Sequence, residues 1–180
     1  MSKTVYIAGD WDHDVEVVNK IVEWNCSPIH PINFTNAHDL KQARDDSLKC
    51  SIKASLYARL SQSSKFILIV GANTKSLTSG GCQWCRSYNS YNKHCMRDRN
   101  LDYSSFIEYE CKKAIKLGLD ILVVYNSDQV NLGLCPDSIA KHEYAEHIPF
   151  YTYQRVPLIG GWGLLRKIYN MRNIYAFLTN

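Results

Sequence analysis

Ser63-Ser64-Lys65-Phe66-Ile67-Leu68-Ile69-Val70-Gly71 is the stretch from which the fold is read. An apolar run of strand length, closed by a glycine and without polar alternation, belongs to a strand covered on both faces, as in a parallel sheet. Parallel strands need long crossovers, usually helical, so helix patterns are expected on either side of it. Upstream, Leu48, Ile52, Leu56 and Leu60 recur every four residues without Gly or Pro, an amphipathic helix. Downstream, Phe106 to Leu117 reads as a helix capped by Ser104 or Ser105, and Ile121-Leu122-Val123-Val124-Tyr125 as a second buried strand. Further out, Val5-Tyr6-Ile7-Ala8 ends at Gly9-Asp10 and reads as the first strand. Val17, Val18, Ile21, Val22 and Trp24 then mark one side of a helix starting near Asp14, with Asp12 or Asp14 as its cap. Asn25 to Pro31 reads as a loop, Ile32-Asn33-Phe34-Thr35 as a short strand, and Ile148-Pro149-Phe150-Tyr151 as an edge strand. Leu164, Ile168, Met171, Tyr175 and Leu178 step by four and three, which predicts a terminal helix at about 162–178.

The alternation predicts an α/β fold with a mostly parallel sheet and helices on both faces. At 180 residues, 46% apolar and 21% charged, the chain is expected to be one domain over 1–180, and disorder is excluded. A net charge of +4, spread along the sequence, is too weak and scattered for a nucleic-acid partner. Apolar runs of about five residues fall far short of the roughly 20 that span a bilayer. The start, Met1-Ser2-Lys3-Thr4, shows no secretory pattern, and seven cysteines at irregular spacing read as reduced thiols in a cytoplasmic protein. The one anomaly is a long insertion at about 75–103, rich in Cys, Tyr, Asn, Ser and Arg.

Ligands of such sheets sit beyond the carboxyl ends of the strands, where strand order reverses. That rule directs attention to Gly9–Asp14, to Asn36–Asp45 and to the segment after Gly71. Asp10-Trp11-Asp12-His13-Asp14 offers carboxylates, an imidazole and an indole that would bind ribose hydroxyls, stack on a base or hold a cation; the plainer reading is a solvated loop with a helix cap. A P-loop is absent, and so is the glycine fingerprint of dinucleotide-binding folds. Glu110 shares a helix face with Phe106 and Ala114, beside the apolar stripe of Ile107, Cys111 and Ile115. Its plainer reading, favoured on spacing alone, is a solvated residue or a partner of Lys112 or Lys113. Cys82-Gln83-Trp84-Cys85 with His94-Cys95 has the ligand types of a structural zinc site. Adjacent His94 and Cys95 are hard to place on one tetrahedron, so unligated thiols are expected. Cys26, Cys50, Cys111 and Cys135 read as small core residues.

Three segments in order carry a family resemblance. They are Val5–Asp14 with its aromatic and aspartates, Ser63–Thr74 with its strand and glycine, and Ser105-Phe106-Ile107-Glu108-Tyr109-Glu110-Cys111 leading to Gly118–Val124. Together they resemble the TIR-like domains of the bacterial Thoeris anti-phage branch, over residue 4 to about 126. The resemblance implies a flavodoxin-like, three-layer TIR fold with a five-stranded sheet. It also implies an enzyme that splits the nicotinamide–ribose bond of NAD, with no cofactor and with NAD as substrate. Glu110 falls on the family's catalytic glutamate, and Phe106 stands where the family usually has Trp. Asp10, Trp11, Asp12 and Phe106 would line the pocket, with Asn36 a further loop candidate.

The product expected is an ADP-ribose-derived, cyclic nucleotide signal, read by a downstream effector protein, with self-association on activation. Breaking that bond develops an oxocarbenium ion, which a carboxylate on the ribose hydroxyls stabilises. Because nicotinamide leaves from a cationic ring, one glutamate suffices, and its place near a helix start is expected to keep it ionised. Two other readings stay open: a non-catalytic TIR-like module that only oligomerises, and a nucleoside deoxyribosyltransferase-like enzyme acting through the same glutamate.

Overall fold

The computed structural model describes residues 3–27, 34–36, 48–156 and 164–179. In chain order the elements are β1 (Lys3–Ala8), α1 (Val15–Asn25), β2 (Phe34–Asn36), α2 (Lys49–Leu60), β3 (Lys65–Val70), β4 (Tyr88–Asn89) and β5 (His94–Cys95). There follow α3 (Phe106–Lys116), β6 (Asp120–Tyr125), α4 (Asp137–Ala140), β7 (Ala145–Pro149), β8 (Tyr151–Val156), β9 (Leu164–Tyr169) and α5 (Met171–Thr179).

β3 is buried along its whole length, as an unbroken apolar run requires. It lies at the centre of a five-stranded sheet ordered β2-β1-β3-β6-β7, in which every pairing is parallel. This is the flavodoxin-like winding, and the order reverses between β1 and β3. Successive side chains of a strand face opposite ways, so the sheet builds two cores. Val5, Ile7, Ile67, Ile69, Leu122 and Val124 meet α1 and α5 on one face. Tyr6, Ala8, Phe66, Leu68, Val70, Val123 and Tyr125 meet α2, α3 and α4 on the other. Lys65 opens β3 in a buried position, and its ammonium donates to the Phe177 carbonyl at 2.5 Å, tying α5 to the sheet. The helix expected at Phe106 begins there, with Ser105 capping it by accepting the Glu108 N–H at 3.1 Å.

Three expectations are corrected. The terminal helix predicted at about 162–178 exists only from Met171; Leu164–Tyr169 is instead β9, antiparallel to β8. A spacing of four is a multiple of two, so Leu164 and Ile168 share a side of a strand as readily as a helix face. Asn170 ends the ambiguity: its N–H and its side-chain amide donate to the carbonyls of Phe150 and Pro149. The edge strand sits at Ala145–Pro149, earlier than Ile148–Tyr151, and Tyr151 starts the hairpin. Asp14 stands at the N-cap of α1, but its side chain makes no cap hydrogen bond. The expected strand residues Ile32 and Asn33, most of the preceding loop and the segment after Asn36 lie outside the described residues. Among the described residues, no helix is long and apolar enough to cross a membrane.

Candidate functional site

α3 runs down from the carboxyl edge of the sheet, because it connects the end of β3 to the start of β6. Phe106 therefore lies at that edge, and Glu110 one turn below it. Glu110 is not solvated: it is only 3% exposed and faces β1 rather than Lys112 or Lys113. The Tyr6 hydroxyl donates to Glu110 Oε1 at 2.5 Å. Burial in this apolar layer raises the Glu110 carboxyl to about 7, against the opposing pull of the Tyr6 hydrogen bond and the Arg59 charge. The expectation of a plainly ionised acid is thus corrected, since desolvation outweighs the helix terminus. Burial, and then the charge of Glu110, push Tyr6 far above the usual phenol range, so Tyr6 stays a donor.

A second acidic group stands above β1, at the point where the strand order reverses. Asp10 is buried; it accepts the Asp12 N–H at 3.1 Å and contacts His13 Nδ1 at 2.7 Å. Asp14 is buried as well. Its Oδ1 accepts from Asn126 Nδ2 at 2.8 Å, while Oδ2 has no hydrogen-bond partner among the described residues. Burial raises the Asp14 carboxyl, the Asn126 bond opposing. The carboxylate lies so close to Gly71 that a Cβ there would collide with both Asp14 carboxylate oxygens. The glycine after β3 thus gives the acid its room, and β1, β3 and β6 each send one residue to the same point.

The predicted residues divide accordingly. Phe106 packs on the core that holds Glu110, with Lys49 Nζ 5.6 Å from its ring. Trp11 is partly buried against the opposite core, on the α1 and α5 side, so it does not share Phe106's layer. Asp12 is exposed. Asn36 ends β2 in register with Val5, and its backbone is all that is described. Tyr6, Arg59, Asn126 and Gly71 were not singled out as site residues. A phenol inside an otherwise aliphatic strand was the available signal for Tyr6. The other three depend on contacts between distant segments.

A cleft of about 680 Å³ runs between α2, the insertion and α3, lined by Lys53, Asn100, Asp102, Tyr103, Tyr109 and Lys112 among others, without Glu110. Its charges are already paired. Lys53 donates to the carbonyls of Asp102 (3.0 Å) and Ser104 (2.8 Å), and Lys112 lies 3.4 Å from Glu108. No three His, Cys, Asp or Glu side chains among the described residues stand in metal-holding geometry.

Residues 6–79 match the model of a family described as Thoeris protein ThsB, TIR-like domain. The matched stretch carries the end of β1 from Tyr6, the acidic loop, α2 and β3 with Gly71, and it ends before α3 and Glu110. No curated protein matches the chain.

Proposed function

For a chain whose residues 6–79 are similar to the TIR-like domain of the Thoeris ThsB family, we propose the activity of an NAD-consuming enzyme of anti-phage defence. It cleaves the nicotinamide–ribose bond, and the ADP-ribosyl product leaves as a nucleotide signal, cyclic where an internal atom is the nucleophile. A downstream effector protein senses that product in the cytoplasm. The observation that carries the reading is Glu110: an acid buried in an apolar layer under the ligand edge of the sheet, held by Tyr6 at 2.5 Å.

In this reading the Glu110 carboxylate accepts hydrogen bonds from the ribose hydroxyls and faces the positive charge that grows on the ribose as nicotinamide departs. Removal from water makes that attraction stronger in the transition state than in the ground state. Tyr6 is a positioning residue: its hydroxyl donates to one carboxylate oxygen and so fixes the orientation of the acid. Asp10 and Asp14 would meet the ribose and adenosine end as it enters, with Asp12, Asn36 and Phe106 as further contacts at that edge and Trp11 on the other face of the sheet. Because Glu110 is covered in the single chain, substrate reaches it when copies assemble and α3 shifts at its Phe106 end.

The test incubates purified chain with NAD, alone and with forced oligomerisation, and follows nicotinamide by chromatography. Wild type should release it, and Glu110→Gln should fall at least about 100-fold, the scale for losing a main electrostatic group. Equal release by both proteins would remove Glu110 from the mechanism. The burial of Glu110 also favours a second reading, in which Glu110 and Tyr6 are a structural pair in a non-catalytic oligomerising module. That reading predicts no NAD turnover in any assembly state, and unimpaired defence by Glu110→Gln in infected cells.

A further inference from the structure

The insertion of about 75–103 has almost no core of its own. Cys82 is its one buried apolar side chain among those described, whereas Trp84, Tyr91, Met96 and Tyr103 are exposed. Yet it is built: a 3-10 turn at Cys82–Trp84, the β4–β5 hairpin, and left-handed turns at Lys93 (φ 49°) and Asp98 (φ 52°) on either side of Cys95. Ordering costs on the order of 1–2 kcal/mol per residue in backbone entropy. Segments too small to bury a core are held by disulfides or a structural metal.

One place in the insertion has the chemistry to do this. Cys82 and Cys85 from the turn, Cys95 from β5 and Cys50 from the first turn of α2 all line a single cavity of about 10 Å³. That is room for about one water-sized body. All four are free thiols. Cys50, read from sequence as a core residue, is half-buried and stands where His94 was considered. His94 is exposed, because adjacent strand residues face opposite ways. Cys82 Sγ already accepts the Asp102 N–H at 3.2 Å, a bond that orients the sulfur as outer-shell partners orient metal ligands. Arg99, also in the lining, supplies positive charge opposite a centre that four thiolates would make negative.

We propose that Cys50, Cys82, Cys85 and Cys95 bind one zinc ion tetrahedrally, pinning the insertion to α2. Four sulfur ligands and a Cys-x2-Cys pair select zinc among the common divalent cations. The four thiols do not stand in metal-holding geometry without the ion, so loading requires them to converge on it, and each gives up its proton on binding. The site is independent of Glu110 and of NAD.

Elemental analysis of the full chain, purified in reductant without chelator, should find about one zinc per chain. Growth in cobalt should give the thiolate-to-metal charge-transfer bands of a tetrahedral sulfur site. Cys50→Ser should lose most of the zinc, and His94→Ala should keep it. Zinc below about a tenth per chain in protein with all seven thiols reduced, together with no cobalt charge-transfer band, would overturn the assignment. So would a disulfide among the four found by alkylation and mass spectrometry, or zinc that survives Cys50→Ser and is lost in His94→Ala. The wild-type cobalt spectrum decides the matter even where a variant fails to fold.

Discussion

The Glu110 carboxyl is raised from 4.5 to about 7 by burial. The folded chain therefore holds a proton there that the unfolded chain has released between those values. The corresponding stability is fully present below pH 4.5 and is lost as the pH rises through 7. Its size is about 3 kcal/mol at most, from the free-energy equivalent of a pKa difference. In urea titrations the wild type should lose stability between pH 5 and pH 8, and Glu110→Gln should lose less by up to that amount; equal losses would contradict the burial argument. In the proposed mechanism the same group would also set the rate profile. Turnover that needs the ionised carboxylate rises with pH through about 7. Tyr6→Phe removes the hydrogen bond that lowers the carboxyl, so the acid limb of the profile should move to higher pH, with the plateau rate reduced. A plateau loss at unchanged limb would make Tyr6 a packing residue alone.

Elements bring the second acid to its place, and here one glycine matters. The loop after β3 passes so close to Asp14 that a side chain on Gly71 would run into the Asp14 carboxylate and have to displace it. Gly71→Ala should cost about 1–3 kcal/mol, as overpacking does. Asp14→Ala removes the obstacle, so the double variant should be less destabilised than the two single costs together predict. Strict additivity in denaturant titrations would mean that the two loops do not meet. The elements themselves were largely legible: β3 and β6 as unbroken apolar runs, α1 and α2 as periodic stripes, α3 from its serine cap. The hairpin of β8 and β9 was not, because the spacing of Leu164 and Ile168 serves strand and helix alike. Glu110 was legible as a candidate from its order behind β3. Its burial was not, since that depends on Tyr6, more than a hundred residues away, and periodicity carries no information on such pairs. Cys50 was hidden for the same reason: its neighbours come from an insertion that sequence spacing alone cannot fold.

At the scale of the molecule, a sheet covered on both faces separates its two cores by the sheet itself. Leu60 and Ile174 are both fully buried, Leu60 under the α2 and α3 layer and Ile174 under the α1 and α5 layer, with no shared cluster. Truncating either leaves a cavity that its own layer relaxes around, so Leu60→Ala and Ile174→Ala should each cost about 2–5 kcal/mol. Because the strands stand between them, the double variant should be destabilised by the two costs together within about 0.5 kcal/mol, measured by urea unfolding at pH 6. The consequence reaches the site. Glu110 belongs to the Leu60 layer, so Leu60→Ala should disturb the pH dependence of stability that Glu110 creates, whereas Ile174→Ala should lower stability equally at pH 5 and pH 8. Coupling between the two truncations, or a pH-dependent effect of Ile174→Ala, would show that the sheet transmits strain from one layer to the other and that α5 bears on the acid.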